Sequence, residues 1–138
     1  MLASHQNKRL EFYEHIGILY YAIASADNTV RTEELTAVKN LVEKYWLPFE
    51  AEIHESNSKE SVYILDTFKK LQTSKVWNSD DCYTRFINYK EQHVTLFTNS
   101  VRALLLKTAS KIADSFASTN KSELILLAKL SIDLKQES

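Results

Sequence analysis

Ile23-Ala24-Ser25-Ala26-Asp27-Asn28-Thr29-Val30-Arg31-Thr32-Glu33-Glu34-Leu35 closes one apolar run and opens another, and the chain repeats the device later. Ile23-Ala24, nine residues, then Glu34-Leu35 is echoed by Ile112-Ala113, nine residues, then Glu123-Leu124. In both copies helical apolar spacing gives way to a short polar connection. An acidic residue then sits in the first turn of the next apolar run, where it meets the positive end of a new helix. This spacing predicts two similar helix-turn-helix units packed into one domain.

Composition points the same way. The 138 residues include one Gly and one Pro, where average usage is about 7% and 5%. Sandwiches and barrels need many turns rich in these two residues, so their scarcity predicts an all-α protein. No linker, low-complexity tract or charge block divides the chain, and its length suits one core. The expectation is one compact helical bundle over residues 5–135, of about six to seven helices with internal pseudo-two-fold symmetry.

Charge and cysteine content narrow the classes. A net charge of −1 and a pI near 6.4 lack the basic excess of a nucleic-acid binder, so no nucleic-acid partner is expected. A single cysteine, Cys82, allows no internal disulfide and fits a reducing compartment. The longest uncharged apolar stretch, residues 16–26, is 11 residues long, short of the ~20 a membrane-spanning helix requires. The polar start carries no signal-peptide core, and the expected location is cytoplasmic.

Along the chain, Phe12, Ile16, Leu19, Tyr20 and Ile23 form one stripe of a first helix over about residues 5–26, with Gly17 placed to permit a close crossing. Leu35, Val38, Leu41, Val42 and Tyr45 mark a second helix, which Trp46-Leu47-Pro48 should end. Residues 50–61 are the least patterned. Val62, Leu65 and Phe68 should face inward on the next helix. Asn78 or Ser79 caps a helix bearing Cys82, Phe86 and Tyr89, and Thr98-Asn99-Ser100 launches a long one carrying Val101, Leu104, Leu105, Thr108, Ile112 and Phe116. The last helix opens at Asn120 with Glu123 in capping-box position. Leu124, Leu127, Ala128, Leu130 and Leu134 form its expected buried face.

Little in this sequence has the spacing of a reactive centre. The histidines at 5, 15, 54 and 93 include no i, i+4 pair, and none is adjacent to Cys82. Cys82 lies on the apolar side of its helix and reads as a buried, inert thiol. A lone glycine cannot build a phosphate-binding loop. The segment from Ala26 to Glu34 has two readings. In one, Asp27 accepts backbone N–H bonds of its own turn or pairs with Arg31. In the other, Asp27 and Glu34, with Glu33, offer oxygen ligands to a hard divalent cation. The EF-hand pattern of alternating acids with a central Gly is absent.

Leu19-Tyr20-Tyr21-Ala22-Ile23-Ala24-Ser25-Ala26-Asp27-Asn28-Thr29-Val30, followed by Glu34-Leu35, resembles the A-x-A-D-G-x-V-x-x-x-E signature of TerB-like (tellurite resistance) domains. Leu106-Lys107-Thr108-Ala109 through Asn120-Lys121-Ser122-Glu123-Leu124-Ile125-Leu126-Leu127-Ala128-Lys129-Leu130 is similar to the matching C-terminal half. The resemblance implies a helical, internally pseudo-symmetric domain from systems resisting tellurite, phage or chemical stress. It implies no catalysis, assembly with proteins near the inner membrane, and acidic residues proposed to bind divalent metal (Mg, Ca or Mn). Those acids are Asp27, Glu34 and Glu123 here. Asn28 replaces the usual Gly, a mild change because Asn tolerates the left-handed conformation. Phe116 stands where the second copy should repeat Asp27, so that copy has lost its leading acid, and Asp114 lies on another side of the helix.

The expected function is that of a non-catalytic interaction module in a stress-resistance system, its partner protein unspecified. The alternative is a divalent-cation sensor built on Asp27 and Glu34.

Overall fold

The computed structural model describes residues 2–26, 32–53, 60–74, 76–115 and 121–135. Among them there is no β-strand, and the fold is all-α. The elements are α1 (Leu2–Ala24), α2 (Thr32–Leu41), a π turn (Val42–Trp46), α3 (Leu47–Ile53), a 3-10 turn (Glu60–Val62), α4 (Tyr63–Ser74), α5 (Ser79–Gln92), a second 3-10 turn (Val94–Leu96), α6 (Asn99–Ser115) and α7 (Lys121–Lys135).

α1 is the central helix. Its neighbours are α4, α5, α6 and α7, and every residue from Ile16 to Ser25 is buried. A helix apolar all round is stable only when enclosed all round, and α1 meets that condition. Gly17 is the crossing point with α4: a Cβ there would lie 2.7 Å from the Ile64 carbonyl oxygen and 2.9 Å from Thr67 Cβ. The close crossing expected of Gly17 is therefore present. Polar ties reinforce the packing. Tyr20 Oη donates to the Leu105 carbonyl at 3.4 Å and accepts from Trp46 Nε1 at 3.1 Å, joining α1, the π turn and α6. Ser79 Oγ donates to the Ala22 carbonyl at 2.6 Å.

The two hairpins expected from the sequence pack differently: α7 lies along α6 and also touches α1, whereas α2 packs on α6 and α4 rather than along α1. Glu34 and Glu123 both lie in the first turn of those helices. The two connecting turns, with Asp27, Asn28, Arg31, Phe116 and Asn120, lie outside the described residues.

Three details differ from the sequence expectations. Pro48 does not end the second helix. The Leu47 N–H bonds the Val42 carbonyl, five residues back, and this widened turn carries the rod past the proline into α3. On α4 the buried set is Ile64, Thr67, Phe68 and Leu71, one position round from Val62 and Leu65, which are only half-buried. On α7 the buried set is Glu123, Leu126, Leu130 and Leu134, whereas Leu124 and Ala128, expected inside, are exposed.

Candidate functional site

α7 has more apolar surface than the core uses. Its inner side buries Leu126, Leu130 and Leu134. Its outer side carries Leu124, Ile125 and Ile132, which are 45%, 60% and 60% exposed, with Ala128 between them. At 3.6 residues per turn, positions 124, 125, 128 and 132 form one continuous strip opposite the core. In α1 the apolar stretch from Ile16 to Ser25 is enclosed on every side, whereas the apolar residues of α7 are covered on one side only.

The helix cannot roll to bury that strip. Tyr83 on α5 donates to the Asp133 carboxylate, and Lys90 Nζ donates to the Asp133 carbonyl at 2.7 Å. Arg102 on α6 donates to the Leu134 carbonyl at 3.1 Å, and Lys129 Nζ lies 4.9 Å from the Tyr83 ring centroid. Cations on the last carbonyls also match the negative end of the helix dipole. The strip is bordered by exposed Lys121, Lys129 and Lys135, so its rim is basic.

The acids singled out in the sequence sit elsewhere. Glu34 and Glu123 are 4% and 3% exposed, and each is engaged within the chain. That burial is unusual, because a carboxylate away from water is costly unless partnered. The Glu34 charge is felt at the Tyr21 hydroxyl of α1, whose pKa is raised by burial first, then by Cys82 and by Glu34. Asp27 lies outside the described residues, and Asp114 is exposed on the last turn of α6. Among the described residues no three His, Cys, Asp or Glu side chains converge as a metal-ligand group.

Sequence reasoning missed a third buried acid, Glu50 on α3, which is fully buried. Its two carboxylate oxygens accept the Glu60 N–H at 2.8 Å and the Ser61 N–H at 2.9 Å, tying α3 to the 3-10 turn that starts α4. Arg9 Nε then pairs with Glu60 at 2.8 Å. Nothing in the unpatterned stretch around Glu50 announced this clasp. His15 and His93, far apart in sequence, both stack on Tyr89, at centroid distances of 3.9 and 4.2 Å. Cys82 is buried as expected, and burial pushes its thiol up to about 11, with Asp81 adding to the shift and Arg85 opposing it. At neutral pH it is a protonated thiol rather than a nucleophile.

The described residues form a compact all-α fold in which the outer face of α7 is apolar and uncovered. No family model, curated protein or solved structure matches the chain. No described helix is long and apolar enough to cross a membrane.

Proposed function

We propose that this chain is a non-catalytic helical interaction module that docks a partner protein on the outer strip of α7. The observation carrying this reading is a contrast between two helices with apolar residues on opposite sides: the stretch of α1 from Ile16 to Ser25 is enclosed, and α7 is held with Leu124, Ile125 and Ile132 facing outward. Covering such side chains releases about 1–2 kcal/mol apiece, a gain the free protein forgoes. The partner that fits is an amphipathic helix whose apolar stripe is flanked by Asp and Glu, because Lys121, Lys129 and Lys135 border the strip. A second copy of the chain fits less well: antiparallel pairing of α7 about Ala128 brings Lys121 against Lys135. The TerB-like pattern of Leu19–Val30 supplies the setting, a tellurite or chemical-stress resistance system.

The test is a titration of the isotope-labelled protein with a synthetic acidic-flanked amphipathic peptide, followed residue by residue in NMR. Shifts concentrated on residues 121–135 are the expected result. Shifts scattered over the bundle, or none, would reject the docking face.

The second reading is a divalent-cation sensor using Asp27, Glu34 and Glu123. It rests on the sequence pattern of those acids, and a cation titration of the melting temperature tests it.

A further inference from the structure

A cleft of about 200 Å³ opens between α1, α4 and α5, on a different part of the bundle from the α7 strip. Its lining includes the apolar Leu71 and Cys82 and two aromatic residues, Tyr63 from α4 and Trp77 from the short link before α5. Lys70 and Arg85 bring positive charge from α4 and α5, and Glu14 brings one acid from α1.

The two cations are notable for what they contact. Lys70 Nζ lies 5.7 Å from the Tyr63 ring centroid, and the Arg85 guanidinium carbon lies 4.8 Å from that of Trp77. Neither has a carboxylate within ion-pair distance among the described residues. Both therefore rest on ring faces, a weak arrangement when exposed, and keep their hydrogen-bond donors available. Trp77 is itself 38% exposed and follows Val76, 80% exposed. Among the described residues, a large and partly exposed aromatic ring thus stands beside a guanidinium with no carboxylate partner.

We infer that this cleft binds a small aromatic monocarboxylate, its carboxylate taken by Arg85 and Lys70 and its ring laid between Trp77 and Tyr63. Three features select that class. A planar guanidinium grips a carboxylate with two parallel hydrogen bonds. The apolar and aromatic lining favours a flat apolar body over a hydrated inorganic ion. With Glu14 opposing two cations the cleft carries a net charge near +1, which suits a monoanion over a dianion. A space of about 200 Å³ admits one ring with its carboxylate. Cys82 remains a protonated lining residue and takes no covalent part. This site is independent of the docking proposal and stands or falls separately.

The test follows the two tryptophan indole N–H signals during titration with benzoate, with benzyl alcohol as the neutral probe of like shape. Trp46, fully buried and bonded to Tyr20, is the internal control. Benzoate should move the Trp77 signal saturably and leave Trp46 in place, and benzyl alcohol should not saturate. Arg85→Gln and Lys70→Gln should each weaken benzoate by about tenfold, while Arg85→Lys should retain part of the affinity. A Trp77 signal that does not saturate at millimolar benzoate, equal binding of benzyl alcohol, or unchanged affinity in folded Gln variants would each overturn the site. The benzyl alcohol comparison uses the wild-type chain, so it decides whatever the variants do.

Discussion

A methyl group on Gly17 would lie 2.7 Å from the carbonyl oxygen of Ile64. The oxygen belongs to the backbone of α4 and cannot swing aside as a side chain would. α1 and α4 approach this closely because the chain's single glycine is where they cross.

Gly17→Ala should therefore destabilise the protein although alanine is the better helix former. The propensity gain is about 1 kcal/mol, against an overpacking cost of about 1–3 kcal/mol. A melting temperature lowered by a few degrees in calorimetry is the expected outcome. An increase would mean that the crossing is looser than the Ile64 contact requires.

Glu50→Ala should cost more than most single changes, because it strips the acceptors from the Glu60 and Ser61 N–H groups in a buried site. Hydrogen bonds to a charged group contribute about 1.5–3 kcal/mol each, so a loss near 3 kcal/mol is expected from urea unfolding. Glu50→Gln, which keeps one acceptor, should lose about half as much. Equal losses from the two variants would show that packing, not the clasp, is what Glu50 supplies.

His15 should make stability fall on the acid side of neutrality. Burial lowers its pKa from the ordinary 6.5, outweighing the Glu11 backbone bond and the Glu14 and Glu11 charges, with Arg85 adding to the lowering. Nδ1–H donates to the Glu11 carbonyl at 2.8 Å, which fixes the neutral tautomer. Because the folded-state pKa lies below the unfolded one, the unfolded chain binds the extra proton first. The contribution of neutral His15 is thus complete above pH 6.5 and shrinks as pH drops through 6.5 toward the folded value. His15→Gln should flatten that segment of a stability–pH curve. An unchanged curve would remove His15 as its source.

Much of the fold was readable because single periodicities marked single faces. Phe12, Ile16, Leu19, Tyr20 and Ile23 all lie in the core, and Asn78 caps α5 by accepting the Asp81 N–H at 2.8 Å. Reading failed where two signals competed. α7 offers apolar residues on both sides, so spacing alone could not tell the Leu126–Leu130–Leu134 face from the Leu124–Ala128 side. The tertiary ties from Tyr83, Lys90 and Arg102 choose between them. Pro48 read as a stop because sequence does not show a π turn that absorbs it. The candidate site was legible only as residues: Glu34 and Glu123 were found by their spacing, but their burial, the clasp at Glu50 and the outward strip depend on long-range packing.

Adding Mg²⁺, Ca²⁺ or Mn²⁺ should leave the melting temperature unchanged, and Asp27→Asn should destabilise only modestly. Glu34 and Glu123 are already engaged inside the chain, and calcium normally takes six to eight oxygens. A ligand bound only by the folded state would raise the melt by mass action. A rise that Asp27→Asn abolishes would establish the cation-sensor reading in place of this expectation.

The docking strip on α7 is tested most directly by calorimetric titration of the acidic-flanked amphipathic peptide into wild type and into the Ile125→Glu/Ile132→Glu variant. Both isoleucines are 60% exposed, so the variant should fold and melt within about 0.5 kcal/mol of wild type, as exposed substitutions generally do. Wild type should bind saturably, and the charged variant should bind at least about tenfold more weakly. Equal affinity for the two proteins, or no binding to wild type, would contradict the assignment of the α7 outer face as a docking surface.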